Sequence, residues 1–479
     1  MIPVPGFEGR RIAVFGLGRS GLTAARALKA GGALPVLWDD SVSSRMQAEA
    51  EGFAVEDLTA ADWSGFAALV LSPGAPLTHP KPHWTVEKAK AAGVEVIGDI
   101  ELFARAIAAL PEGERPAVVG ITGTNGKSTS TALIGWVLKQ AGETVHVGGN
   151  IGIGVLALPA PTPGAVYVIE VSSYQLDLTT TFSPTVAILT NISPDHLDRH
   201  GGMAGYVAAK ARIFNNAWVS LVGVDDSWGR GLASSLRAAG RTVGEVETSE
   251  HEGELHPPEP FYDEDHPRHW VPQNITAMGR KLSFDEIELV DLAAARSLPG
   301  RHNAQNAAFA YLAARNLGLD HDAVVQGLLT FPGLAHRMEE VGRLGRVRFI
   351  NDSKATNADA ARQALGSYER SFWIAGGRAK AGGIDDLEDL FPRVVEAFLI
   401  GEAAGPFAAR LGDTPHRISG DMASAVAAAA GAAAATGREE VVLLSPAAAS
   451  FDQYPDFEAR GEAFRAAVLN LGATPSGHG

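Results

Sequence analysis

The run Gly120-Ile-Thr-Gly-Thr-Asn-Gly-Lys-Ser-Thr129 gathers the residue types that hold phosphate. Glycines let backbone N–H groups close around phosphate oxygens, and a helix starting behind the loop adds its positive N-terminus. Lys127 supplies a mobile cation, and the Ser128 hydroxyl suits a magnesium ion. The context supports this, because Ala117-Val118-Val119 before the loop reads as a strand and residues 130–138 after it read as a helix. Counted back from Gly126, Ile121 stands where the first Walker glycine belongs, so the loop is a compact variant with Gly123 as its nearest glycine. Gly123, Thr124, Asn125, Gly126, Lys127, Ser128 and Thr129 are therefore the candidates for holding the phosphates of ATP.

A second phosphate motif, Gly16-Leu-Gly-Arg-Ser-Gly21, follows the apolar run 11–15, with Asp39 closing the next run about 20 residues on. Such a turn cradles any diphosphate, so a nicotinamide cofactor and a nucleotide sugar call for the same residues. Ser72-Pro-Gly74 ends another strand of the same sheet. Further along, Gly149-Asn150, Glu170-Val-Ser-Ser-Tyr-Gln175 and Asn191-Ile-Ser-Pro-Asp-His-Leu-Asp-Arg199 each follow a strand. Strand C-termini share one edge of an open parallel sheet, so Lys127, Asn150, Glu170 and His196 should converge. A carboxylate beside a magnesium nucleotide is a metal ligand by its chemistry.

The elements that must position these groups follow from periodicity. Short apolar runs at 11–15, 35–38, 67–71 and 94–97 alternate with helical segments, the first starting at Leu22, which implies a parallel sheet with crossover helices. A second α/β unit opens at Pro116, continues through runs at 165–169 and 185–189, and closes with a helix over 303–317. Its Pro-, His- and acid-rich stretch 251–273 reads as a solvated surface excursion rather than a metal site. A third unit starts near Gly333, with strands at 347–350, 371–375, 397–400 and 441–444. At 479 residues the chain suits about three domains of ~150 residues each, and we set them at 1–107, 108–332 and 333–479.

Composition narrows the function. Apolar residues make up 46% and charged residues 20%, which suits packed globular domains rather than disorder. A net charge of −15 repels nucleic acid, so none is expected as a partner. No cysteine is present, which excludes disulfides, thiolate zinc sites and cysteine nucleophiles. No signal sequence and no apolar run of about 18 residues appears, the Ala-rich 423–435 stretch reading as a packed helix. A cytoplasmic monomer without a membrane span is expected.

On these motifs the chain resembles the Mur ligase family, the ATP-dependent amide-forming enzymes of peptidoglycan synthesis. The central resemblance rests on TGTNGKST, GGN, EVSSYQL, NISPDHLDR, Lys210, Gly300-Arg-His-Asn303 and Asn306. The C-terminal one rests on His336-Arg337, Asn351-Asp-Ser-Lys-Ala-Thr-Asn357, Gly376-Gly377 with Lys380, Leu444-Ser-Pro446 and Ser450-Phe-Asp-Gln453 with Phe457. The Asp-Ser-Lys-Ala-Thr-Asn string is the specific piece, and it is similar to the branch that adds D-glutamate to UDP-N-acetylmuramoyl-L-alanine.

The resemblance implies three domains, an N-terminal Rossmann-like one, a central P-loop-type parallel sheet and a C-terminal Rossmann-like one. It implies ATP and Mg2+ as cofactors, with Lys127, His196 and Lys210 as catalytic residues, Ser128 and Glu170 around one magnesium, and His196 and a carbamate on Lys210 at a second. Asn303, Asn306, Arg337, Asp352 and Lys354 would face ATP. Gly18, Arg19, Ser20, Asp39, Ser72 and Asn150 would hold the uridine nucleotide, and Thr356, Lys380, Ser450 and Phe457 the D-glutamate. Ala379 departs from the Gly-Gly-x-Asp-Lys pattern of many relatives, just before Lys380. Two other readings stay open at this point: a folate-polyglutamate type of amide ligase, and a nucleotide-driven switch whose first domain senses NAD.

Overall fold

The computed structural model describes residues 1–249, 274–295, 297–380 and 382–476. The stretch 251–273 lies outside the described residues. Contacts divide the chain into two compact units, Met1–Asp291 with Gln305–Leu329, and Leu292–Ala304 with Thr330–Gly479. The division falls within the helix Arg301–Asn316.

The first unit holds two sheets. Its N-terminal sheet is parallel throughout, in the order Ala54–Val55, Leu34–Trp38, Arg11–Phe15, Phe66–Leu71, Glu95–Ile97. Strands buried on both faces carry unbroken apolar runs, which is why Ile12 to Phe15 and Ala68 to Leu71 lack polar residues and are buried. The strand order reverses between Arg11–Phe15 and Phe66–Leu71, so the loops beginning at Gly16 and Ser72 leave side by side from a switch point where ligands bind. The following helix is Arg19–Ala30, three residues earlier than the start expected at Leu22. Gly18 is its extended N-cap, and Arg19, Ser20 and Gly21 form a first turn that carries no apolar residue to announce it.

The second sheet has nine strands among the described residues and is built outward from Ala117–Thr122. Val166–Glu170 and then Val145–Gly149 lie on one side of it; Val186–Leu189, Val219–Gly223, Thr242–Ser249 and Asn274–Met278 lie on the other, all parallel. An antiparallel pair, Lys281–Phe284 and Ile287–Asp291, ends it. One apolar core runs from Val14 and Leu28 through Phe103 and Tyr167 to Ile213.

The second unit is a seven-stranded sheet in the order His416–Gly420, Val394–Ile400, Ser371–Gly376, Glu440–Leu444, Val347–Asn351, Glu339–Leu344, Thr474–Pro475. The first five are parallel and the last two antiparallel. Glu440–Leu444 sits between strands that come earlier in the chain, so the loops after Asn351, Gly376 and Leu444 emerge at one edge. Two apolar clusters, one around Trp373 and Leu399 and one around Phe349 and Phe464, cover the sheet's two faces. The expected α/β architecture with three mainly parallel sheets is present. Among the described residues no helix is long and apolar enough to cross a membrane.

Candidate active site

The phosphate loop is braced from the end of the neighbouring strand. Thr124 N donates to Asn191 O at 2.9 Å, Asn125 N to Asn191 Oδ1 at 2.9 Å, and Thr190 Oγ1 to Asn125 O at 2.6 Å. Gly123 has φ +145°, and a Cβ there would run into Thr190 Oγ1, so only glycine fits. The helix Lys127–Gln140 begins directly behind, with Ser128 and Thr129 buried in its first turn. Asn306 reaches the same helix, its Oδ1 accepting from Ser130 Oγ at 3.1 Å. Asn191, the first residue of the Asn191 to Arg199 motif and two residues past the strand end, holds the loop on two sides, a role not assigned to it from sequence.

Two amines meet at one peptide oxygen. Lys127 Nζ donates to Gly123 O at 2.9 Å and Thr124 O at 2.8 Å, and Lys210 Nζ donates to Gly123 O at 2.7 Å. Lys210 is 2% exposed and its Nζ lies 4.7 Å from the Tyr206 ring centre. Burial, and then the charge of Lys127, push its pKa well below the usual lysine value, against the opposing pull of Asp195 and Glu170. Glu170 is 1% exposed; its Oε1 accepts from Asn150 Nδ2 at 2.8 Å, while its Oε2 is buried with no hydrogen-bond partner. A buried carboxylate oxygen left unsatisfied is costly, and it fits a hard cation. Among the described residues no three His, Asp or Glu side chains cluster as a metal cage. Magnesium held there would draw its other ligands from Ser128, phosphate oxygens and water, as this ion commonly does.

Of the four side chains expected to converge, Asn150 and Glu170 touch, and Lys127 and Glu170 both act on Lys210. His196 sits in the left-handed region at φ 54°, its Nε2 3.4 Å from Asp195 Oδ2 and its ring 4.9 Å from that of Tyr174.

At the N-terminal sheet, Gly16 has φ +87° and a Cβ there would collide with Ser72, which keeps the two loops in contact. Gly18 has open space where a Cβ would go. Arg19 Nη1 donates to Gly152 O at 3.0 Å, bringing the loop after Asn150 alongside. Asp99, buried and accepting from Gln175 Nε2 at 3.1 Å, has its pKa raised chiefly by burial, with the Ser20 side chain among the groups that pull it back. Asp39 Oδ2 accepts from Leu17 N at 2.6 Å and Oδ1 from Ser41 N at 2.8 Å. Both oxygens thus shape the loop, and each keeps a lone pair for a ligand hydroxyl.

In the second unit, Asp352 Oδ2 accepts from Ser445 Oγ at 3.0 Å and Oδ1 from Met338 N at 3.3 Å. Burial lifts its pKa to about 7, with Arg337 pulling the other way. The same arginine, after burial, helps hold His302 down at about 4. Asn303 Nδ2 donates to Pro299 O at 2.8 Å. Lys354 Nζ lies 4.9 Å from the Phe457 ring centre, and Ser353 Oγ donates to Phe457 O at 2.8 Å. Ser450 is buried, Thr356 half-buried and Lys380 exposed; the described contacts do not join these three to one another.

Arg460, 1% exposed, was missed from sequence. It donates to Ser353 Oγ at 3.0 Å, Ser353 O at 2.7 Å and Ala448 O at 2.9 Å, tying the loop that carries Lys354 to the one that carries Ser450. Its signal was an arginine one turn past Phe457 on the buried face that continues at Gly461, Phe464 and Val468.

The comparisons with known proteins point the same way. A profile of the Mur ligase middle domain matches residues 121–314. The chain is 59% identical over 480 residues to the UDP-N-acetylmuramoylalanine–D-glutamate ligase of Caulobacter vibrioides, covering 99% of this chain and 98% of that one. It is 50% identical to the ligase of the same name from Agrobacterium fabrum, covering 98% and 97%. Among solved structures, the UDP-N-acetylmuramate-alanine ligase of Thermotoga maritima matches with a TM-score of 0.58 at 15% identity, over 96% of this chain and 99% of that one, a likeness of fold. Such identity along nearly the entire length reflects common descent rather than a shared phosphate loop, and the chain belongs to the Mur ligase family.

Proposed function

We propose that this protein joins the carboxylate of UDP-N-acetylmuramoyl-L-alanine to the amine of D-glutamate while ATP is converted to ADP and phosphate, a cytoplasmic step in making peptidoglycan precursors. The observation that carries this reading is 59% identity along 99% of the chain to a ligase of that name. The geometry supports it: phosphate loop, paired lysines and half-satisfied Glu170 share one sheet edge, as phosphoryl transfer to a carboxylate requires.

A carboxylate oxygen leaves poorly, so it first takes the γ-phosphoryl group, and the bond from that phosphorus to ADP breaks. The D-glutamate nitrogen then attacks the acyl carbon, the carbon–oxygen bond to phosphate breaks, and the nitrogen loses a proton. Lys127 neutralises charge on the moving phosphoryl group, and loop N–H groups hold it in line. Ser128 and Glu170 would hold one magnesium, and His196 and Lys210 a second, supplying charge for the same transfer when bound. Lys210 works as a carbamate in this reading: its uncharged nitrogen bonds to the carbon of carbon dioxide, one C=O pair moves onto oxygen, and the nitrogen gives up a proton. Burial and the nearby Lys127 favour the uncharged amine this needs.

Residues 1–107 take the uridine nucleotide through Gly18, Arg19, Ser20, Asp39 and Ser72, with Asn150 beside them. Residues 108–332 take ATP, with Asn303 and Asn306 on its nucleotide side, and residues 333–479 take D-glutamate through Thr356, Lys380, Ser450 and Phe457. Arg337, Asp352 and Lys354 complete the nucleotide-facing set. The test is phosphate release with ATP, magnesium, UDP-muramoyl intermediates and single amino acids. Release should need both UDP-N-acetylmuramoyl-L-alanine and D-glutamate; ATP turnover indifferent to either, or saturable NAD binding that no uridine nucleotide competes, would overturn the reading.

A further inference from the structure

Beside the phosphate-loop edge lies a buried polar group that the chemistry above leaves unused. The His200 side chain is 2% exposed, with Nδ1 3.1 Å from Asp177 Oδ2 and Nε2 2.9 Å from Ser173 Oγ. Nδ1–H donates to the carboxylate and Nε2 meets the serine hydroxyl, so the two contacts fix one ring orientation. The order Ser–His–Asp has the form of a hydrolytic relay, but Ser173 is 3% exposed and no substrate reaches its hydroxyl. What the relay does hold is an aromatic ring. His200 stacks on Tyr174 with centroids 5.5 Å apart and planes 15° apart, and packs against Tyr206 at 5.5 Å.

Tyr174 in turn carries two groups of the Asn191 to Arg199 loop. The His196 ring lies 4.9 Å away and the Arg199 guanidinium 4.5 Å from the Tyr174 ring centre. Arg199 continues to the other sheet, donating to Gly74 O at 3.1 Å and Pro73 O at 3.3 Å, while its buried Nε has no partner. A single pinned imidazole thus sets a platform that touches His196 and Arg199, and through Arg199 reaches the carbonyls of Pro73 and Gly74. We propose that His200, locked by Asp177 and Ser173, is a positioning residue for the nucleotide-sugar substrate, acting through Tyr174 on Arg199 and the 72–74 turn. The inference rests on reading that turn as part of the uridine-nucleotide site.

The test uses full-length protein and two variants. His200→Phe keeps a ring against Tyr174 and Tyr206 and removes both hydrogen bonds, whereas Ser173→Ala removes one. Binding of UDP-N-acetylmuramoyl-L-alanine is measured by calorimetry without ATP, alongside steady-state kinetics. His200→Phe should bind the nucleotide sugar about tenfold more weakly and raise its KM by about as much, with the KM for ATP within about twofold of wild type. Ser173→Ala should show about a threefold loss in the same direction. Wild-type affinity in folded His200→Phe, or equal losses for ATP and nucleotide sugar, would overturn the proposal. Should His200→Phe not fold, unchanged affinity in Ser173→Ala overturns it. Wild-type protein that binds no nucleotide sugar sinks the functional reading and this inference together, whereas wild-type binding with unaltered variants sinks the inference alone.

Discussion

Gly123 O accepts from two amines, and two full positive charges packed that closely in a buried site repel strongly. Lys210 is the one that gives way, because it is the more deeply buried. If it acts as a carbamate, Lys210→Ala should be folded and nearly inactive, and short-chain carboxylic acids in the assay should restore part of the rate by filling the vacated anion position. Full activity of that variant without additive would remove Lys210 from the chemistry. Asp352 makes a prediction in pH. Its carboxyl is held near about 7 in the fold against an ordinary 3.8, so with rising pH the unfolded chain ionises first while the folded one keeps its proton. Stability therefore declines from about pH 4 and levels off above about pH 7. Asp352→Asn keeps the shape and removes the ionisation, so its thermal midpoint should lack that decline and exceed wild type at about pH 8, while ATP use falls. A variant midpoint that tracks the wild-type curve would show the decline has another source. Lys380 is exposed, so its proposed pairing with a D-glutamate carboxylate is a matter of ligand contact rather than folding. Lys380→Ala should leave stability and nucleotide binding intact and lower kcat/KM for D-glutamate about a hundredfold, and unchanged D-glutamate kinetics would exclude it.

Elements here are placed by how closely their backbones approach. A Cβ at Gly123 would press on Thr190, the residue whose hydroxyl holds Asn125 O. Gly123→Ala should therefore open the phosphate loop, cutting ATP affinity at least about tenfold while uridine-nucleotide binding, proposed for the N-terminal sheet, persists. Equal loss of both in calorimetry would mean general unfolding instead. This dependence on close approach also explains what the sequence disclosed. Strands such as Ala117–Thr122 and Ser371–Gly376 were legible because a doubly covered parallel strand needs an unbroken apolar run, and the Gly-rich turns after them because nothing else bends so tightly. The start of Arg19–Ala30 was not, since its first turn, Arg19 to Gly21, carries no apolar residue. Thr242–Ser249 and the strands at 281–291 escaped notice for the same reason, having mixed polar faces beside a long excursion. Residue type alone likewise hid partners. Asp39 stands out by its place at a strand end, but its bonds from the Leu17 and Ser41 amides appear only in the fold, and the partners of His200 and Arg460 likewise come only with burial.

At the scale of the molecule, the seven-stranded sheet depends on a very short piece of chain at one side. Thr474–Pro475 pairs antiparallel with Glu339–Leu344 at Gly342 and Arg343, and Ser476 adds contacts to Val341 O and to Glu340 Oε1 at 3.1 Å. Strip those residues away and a row of peptide groups is left as an open template for strand addition, the commonest route from a soluble sheet to sticky oligomers. Protein cut after residue 472 should therefore elute from a sizing column as mixed higher assemblies at concentrations where the whole chain gives one species, and identical elution of the two would show the edge is protected otherwise. The practical corollary concerns handling: a purification tag at the carboxyl end would sit close to this short pairing, so an amino-terminal tag leaves the sheet edge undisturbed.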